Sequence, residues 1–348
     1  MNGDVAAFDP LMVPAGDGRL DEAVSILAWS RDGSAVAAGS LGGEIVFARA
    51  DAGVVGRLDA GAPAVSAAGS GPGAIAVGCD DGGLWLWSVD AAPVRHQIGP
   101  AVEDLAWSHR GLAVAARDSV VVFRDGHAVG HPLPVPFGGA IAVAWRDEAS
   151  RPDLVAGGLG GVRELWLSGQ RGEMWPLAAV LSLAVEPGSG DVAAGTLGGD
   201  IELMGPGPGG GSRHGVGRDG VECVSWSADG SQLCAVADGK LRVWRRRSPA
   251  EGLGAFHDLV GHHDWVVGAA FSPVGPLLAS VGLDGCVALW DPAGTTDPLE
   301  RLHLAGELSV VAWRPDGEAL AVGGPSGGYW VLDASRASAV ARSRCEPR

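Results

Sequence analysis

A unit of about forty residues recurs along the chain, and that period constrains the fold more than any single residue does. Residues 24–47 read VSILAWSRDGSAVAAGSLGGEIVF, 181–203 read LSLAVEPGSGDVAAGTLGGDIEL, and 267–291 read VGAAFSPVGPLLASVGLDGCVALWD. Each unit opens with an apolar run that mostly ends in an aromatic residue. A polar Gly turn follows, then a run of small apolar residues, a second Gly turn and a third apolar run. Such short runs, bounded by turn residues and without helical periodicity, are β-strands. The first runs end near Trp29, Gly69, Trp107, Trp145, Val185, Trp226, Phe271 and Trp313, so the unit repeats eight times.

A fourth, less regular run follows the third, as at 54–58 and 94–98. Four strands per unit at this period predict an all-β propeller of four-stranded blades. Eight blades is the expectation, and seven blades plus a divergent unit is the alternative. One blade cannot bury both faces, but a ring of blades can, and closure removes most open edges. The tryptophans that end first strands, and Trp87, Trp166, Trp244 and Trp290 near the ends of third strands, are therefore expected in the core between blades. Trp85 and Trp330 share a third-strand position and are expected to fill gaps between blades. The ring should occupy residues 23–335, between an N-terminal segment (1–22) that is a candidate closing strand and a basic C-terminal tail (336–348). Closure calls for a strand from one terminus, with 5–13 or 338–343 as candidates. The glycine-rich stretch 205–220 and the connection 245–254 read as loops.

Composition excludes several function classes. Hydrophobic residues form 47% of the 348, enough for a large core. The net charge of −16 opposes binding to phosphate backbones or anionic membranes and suits basic partners. Five cysteines, widely spaced and without CxxC, indicate free thiols in a reducing compartment. The N-terminus lacks the pattern of a signal peptide, and no apolar run reaches the length of a membrane span. A cytoplasmic protein is expected.

The seventh unit carries the most specific signal. From Gly261 it reads GHHDWVVGAAFSPVGPLLASVGLDGCVALWD. It resembles the WD-repeat family in its Gly-His pair, FSP, Ser before the turn, Asp-Gly and closing Trp-Asp. The resemblance covers nearly the whole ring by repeat count, although the other units lack a Gly-His in this register. It implies a hydrogen-bonded chain of His262, Ser280, Asp284 and Trp290 that locks the blade. It also implies partner binding on the face formed by the fourth-to-first-strand loops, around the channel mouth. Transferred by register, that face contains Asp21, Glu22, Glu103, Asp104, Glu222, His263, Asp264, Trp265 and Glu307. Trp265 lies outside both recurring core positions, so the repeat itself does not account for it.

Catalytic motifs fail on context. GPGPGG at 205–210 satisfies GxGxxG, yet prolines surround it and no helix follows. GPSGG at 324–328 satisfies GxSxG, but Ser326 occupies a repeat turn and no His follows it. No lysine stands at a phosphate loop. A set of Cys223 and Glu222 with Glu103 or Asp104 across the channel is the arrangement that the alternatives would need: an accessory protein binding a metal or small ligand, or a propeller hydrolase with a channel metal. The expectation is a non-catalytic scaffold without cofactor or metal. It would be a single propeller in a larger complex, binding a basic protein or peptide and neither nucleic acid nor membrane.

Overall fold

The computed structural model describes residues 13–49, 53–135, 138–146, 151–205, 211–246 and 252–338. They form eight antiparallel four-stranded sheets, which makes eight blades. The first strands are Val24–Trp29, Ala64–Gly71, Val102–Ser108, Ala142–Trp145, Val180–Val185, Cys223–Trp226, Val266–Phe271 and Val310–Trp313. They contact one another around the ring and line the channel. Second strands such as Ala35–Ser40, Gly111–Ala116 and Leu278–Gly282 are buried throughout, because neighbouring blades cover both faces. Fourth strands such as Gly53–Asp59 are mostly exposed, which is why their sequences are loose.

The ring closes through the N-terminal segment, at 13–19 and not at 5–13. Val13–Arg19 supplies the fourth strand of blade 8 and pairs with Gly328–Asp333, from Val13↔Asp333 to Arg19↔Gly328. The apolar run had pointed to 5–13. Backbone pairing at an outer edge needs no apolar side chains, so VPAGDGR serves despite its turn-like composition. Residues 1–12 lie outside the described residues. At the other end, 335–338 form a helical turn rather than a strand, and Ser338 donates to the Gly317 carbonyl. Residues 339–343 lie outside the described residues. The expected loop 205–220 also contains a strand, Gly211–Gly215, paired with Asp200–Met204. Residues 206–210, and 247–251 of the second predicted loop, lie outside the description.

Indole hydrogen bonds stitch several blades together. Trp29 Nε1 donates to Ala312 O at 3.2 Å, Trp145 Nε1 to Ala106 O at 3.0 Å, and Trp313 Nε1 to Ala270 O at 2.8 Å. Each bond crosses to the preceding blade of the ring. Trp330 packs on the core shared by blades 7 and 8, and Trp85 on that of blades 1 and 2.

Candidate functional site

Successive strands alternate direction, so the second-to-third-strand turns share one face with the loops that enter each first strand. Backbone hydrogen bonds join the two. Leu41 N donates to Ala23 O (3.0 Å), Asp80 N to Pro63 O (3.0 Å), Leu197 N to Ala179 O (2.7 Å), and Leu283 N to Trp265 O (2.9 Å). Trp265 thus stands where three other blades place Ala or Pro. Its indole lies against the Gly239 turn of blade 6, so close that a Cβ on Gly239 would come within 2.8 Å of the ring. Even so, Trp265 is 56% exposed. A local packing role accounts for one face of the ring and leaves the rest in solvent.

Around Trp265, His263 and Asp264 are exposed, as are Asp21, Glu22, Glu222 and Glu307 on other blades. Asp21 also braces its loop by accepting from Ser40 Oγ at 3.0 Å. Glu103 is half-buried, and Arg117 Nη2 approaches it at 3.2 Å. Asp104 is not part of the exposed patch. Its carboxylate accepts from Ser66 Oγ (3.0 Å), Leu105 N (2.8 Å) and Val143 N (2.9 Å), clasping blades 2, 3 and 4. Burial pushes its pKa up to about 6, against the pull of these hydrogen bonds. The register explains why it turns inward: Ser66, Asp104, Ser182 and Cys223 hold one inner-strand position, and Ser182 likewise donates to the next blade, at Val221 O (2.9 Å).

The structure exposes residues that the acidic pattern did not single out. Leu41 (52%), Leu159 (60%) and Leu197 (59%) project from the second-to-third-strand turns of blades 1, 4 and 5. Their signal lay in the repeated LGG of the second turn, where a large apolar residue has no core to enter. This face therefore carries both exposed leucines, on blades 1, 4 and 5, and exposed carboxylates, on blades 6, 7, 8 and 1.

The lock of blade 7 forms in full. Trp290 Nε1 donates to Ser280 Oγ (2.9 Å), Ser280 Oγ meets His262 Nε2 (2.8 Å), and His262 Nδ1 meets Asp284 (3.1 Å). Every group in the chain is satisfied when the Ser280 hydroxyl donates to His262 Nε2 and Nδ1–H donates to Asp284. Burial would raise the pKa of Asp284, but bonds from His263 N, His262 and Cys286 N hold it below the usual value. Cys286 lies beside this lock. Among the described residues, His262, Asp284 and Cys286 are the one group of three potential ligands whose atoms all lie within 4.8 Å of one another. The lock already uses both imidazole nitrogens, and burial pushes the Cys286 thiol up to about 11, so these groups suit packing better than a metal.

The channel set does not converge. Cys223 Sγ donates to Ala269 O at 3.0 Å, and burial raises its pKa. Asp104 is committed to three donors, and Glu222 faces solvent. The channel holds a cavity of about 260 Å³ lined by small and apolar residues, including Ser25, Ser66, Gly268 and Ser309. No helix of the described residues is long and apolar enough to cross a membrane.

Known proteins share these features. The family model described as WD domain, G-beta repeat matches residues 212–245 and 255–291, from the fourth strand of blade 5 to the third strand of blade 7. A segment of 103 residues, 28% of the chain, is 35% identical to periodic tryptophan protein 2 of Arabidopsis thaliana and covers 11% of it. A segment of 115 residues, 32% of the chain, is 29% identical to THO complex subunit 3 of the same plant and covers 36% of it. The chain thus matches only part of the length of these curated relatives. The crystal structure of Sqt1 from Chaetomium thermophilum aligns with a TM-score of 0.76, over 92% of this chain and 98% of that one. At 16% identity that likeness is one of fold. The repeat period, the closed ring and the family match agree, and the chain is an eight-bladed β-propeller that carries WD repeats at 212–245 and 255–291.

Proposed function

We propose that this propeller is a non-catalytic scaffold that holds a basic protein or peptide segment on its channel-mouth face. The observation that carries the reading is Trp265, a largely exposed indole at a position where three other blades place only Ala or Pro. Exposing so large an apolar surface gains nothing for the blade, whereas Trp is a frequent anchor at interfaces. The exposed carboxylates Asp21, Glu22, Glu222, Asp264 and Glu307 set a negative potential that attracts basic segments. The exposed leucines offer secondary apolar contacts. THO complex subunit 3 is by its name a member of an assembly, which is the role proposed here for a single propeller.

A peptide array containing basic, neutral and acidic sequences tests this reading, probed with wild type and a Trp265→Ala/Asp264→Ala variant. Capture of basic peptides should weaken with added salt and drop by about tenfold in the variant, at an unchanged melting temperature. Indifference to peptide charge, or full capture by the folded variant, would refute the assigned face.

A further inference from the structure

The opposite face has a feature of its own at the seam between blades 2 and 3. In these two blades the third and fourth strands join through minimal turns, with Ser88 paired to Ala91 and Arg124 to His127. Blades 4 and 6 use longer connections, and residues of these pack over the neighbouring core: Leu167 on the core of blades 3 and 4, and Leu253, 7% exposed, beside Trp226. The short turns of blades 2 and 3 leave a cavity of about 480 Å³. Trp87, Trp107 and Phe123 wall it, and Ser88, His96 and His127 add polar groups.

Trp107 has an unmet requirement there. The indoles of Trp29, Trp145 and Trp313 each donate to a carbonyl of the preceding blade, but the buried Nε1 of Trp107 has no acceptor among the described residues. The cause lies in blade 2. Its first strand ends at Gly69 without an aromatic ring and carries a second bulge, between Gly69 and Gly71, absent from the other described first strands. Trp226 also lacks an acceptor among the described residues and also follows a blade without an aromatic at this position, Val185. Trp226, however, shares a buried core with Leu253, and Arg246 lies over its ring at 5.5 Å.

We propose that the cavity between blades 2 and 3 binds a small, flat aromatic molecule that carries a hydrogen-bond acceptor. Its volume falls within the range of small-molecule sites. Aromatic walls favour a flat ring by stacking and edge contacts. A buried donor without an acceptor destabilises the free protein, and a guest that supplies an acceptor recovers that loss. Arg31 lies over the Trp107 ring at 5.5 Å, a cation–π contact in place of the hydrogen bond that fixes its counterparts, and the indole must turn against that contact to present its buried Nε1 to a guest. The site is independent of the channel-mouth face, which lies on the other side of the ring.

Two probes of similar size separate the parts of this proposal. Quinoline has a ring-nitrogen acceptor, whereas indole has only a donor. Ligand-observed NMR titrations of the full chain should show saturable binding of both, with quinoline about fivefold tighter, the effect of one hydrogen bond. Ala92→Phe or Ala91→Phe, on the exposed margin of the cavity, should abolish binding in a protein that melts normally. Trp107→Phe should retain binding and erase the preference for quinoline. Trp265→Ala should change neither. Absence of saturable quinoline binding, or its survival in both margin variants, overturns the site. Equal affinities for the two probes, or a preference that persists in Trp107→Phe, overturns the acceptor requirement.

Discussion

Blades 7 and 2 share one backbone plan and are held in place by different means. Their third strands end in equivalent tryptophans, Trp290 and Trp87, and their second turns carry equivalent aspartates, Asp284 and Asp81. In blade 7, Ser280 lies between Trp290 and His262, and the chain of hydrogen bonds ends on Asp284. Val77 takes the place of Ser280 in blade 2. There Trp87 stacks on Phe47 of blade 1 at 5.1 Å and 18°, and Asp81 pairs with Arg95 at the surface at 2.7 Å. Ser66 ties the inner edge of blade 2 to Asp104 of blade 3. Blade 7 is cross-linked within itself, and blade 2 leans on its neighbours. A ring needs every blade to be held, but a neighbour can do the holding, as nearest-neighbour stability in repeat proteins allows.

The largest effect that could break this contrast is deletion of the paired tryptophans. Trp290 is fully buried, so Trp290→Ala should cost about 3–5 kcal/mol. Trp87 is only half-buried, and Trp87→Ala should cost roughly half as much. Urea unfolding of both variants checks this, and equal losses would show that blade 2 depends on its own tryptophan as heavily as blade 7 does. Removing the hydroxyl at the centre of the lock comes next. Ser280→Ala leaves an indole N–H and an imidazole nitrogen without partners and should cost about 1–3 kcal/mol. Val77→Ala removes two methyl groups and no hydrogen bond, and should cost about 1–2 kcal/mol. The two losses can therefore be similar in size. The distinguishing sign is cooperative: Ser280→Ala and His262→Ala should combine less than additively, because they cut one network.

How far the sequence foretold this contrast follows from what each element needs. The lock was legible because it requires four specific side chains at fixed spacings, and His262, Ser280, Asp284 and Trp290 all stand in register. The ring was legible from the period. The closing strand lies in the N-terminal segment that the sequence offered, but at 13–19 and not 5–13, because Val13–Arg19 contributes backbone pairing, which leaves little trace in side-chain pattern. At the candidate face, Trp265 stood out as a large residue that the repeat does not require. Asp104 was grouped with the exposed acids, since nothing in VEDLAW distinguishes a carboxylate turned along the channel wall toward Val143 from one turned to solvent. Partners of that kind come from other blades, about forty residues away in either direction.

The smallest effect, and the sharpest test of the contrast, is in pH. The two aspartates shift in opposite directions. Asp284 has a folded pKa below its ordinary 3.8, so its contribution is present above that value and lost as pH falls through the lowered one. Asp104 has a folded pKa raised to about 6. The fold therefore favours its neutral form, and its contribution is present below pH 3.8 and lost as pH rises through about 6. Acidification from neutrality to about pH 5 should tighten the seam of blades 2 to 4, and acidification below pH 4 should loosen blade 7. Hydrogen exchange at defined amides reads each effect: Leu105 and Val143 donate to Asp104, and His263 and Cys286 to Asp284. Asp104→Asn should remove the gain in protection between neutral and mildly acid pH. Asp284→Asn should remove the loss at low pH. Because many other carboxylates titrate in the same range, the informative quantity is variant minus wild type at those four amides. If both pairs respond to acid in the same direction, the two aspartates do not hold their blades in opposite charge states, and the contrast between the lock and the seam fails at its electrostatic step.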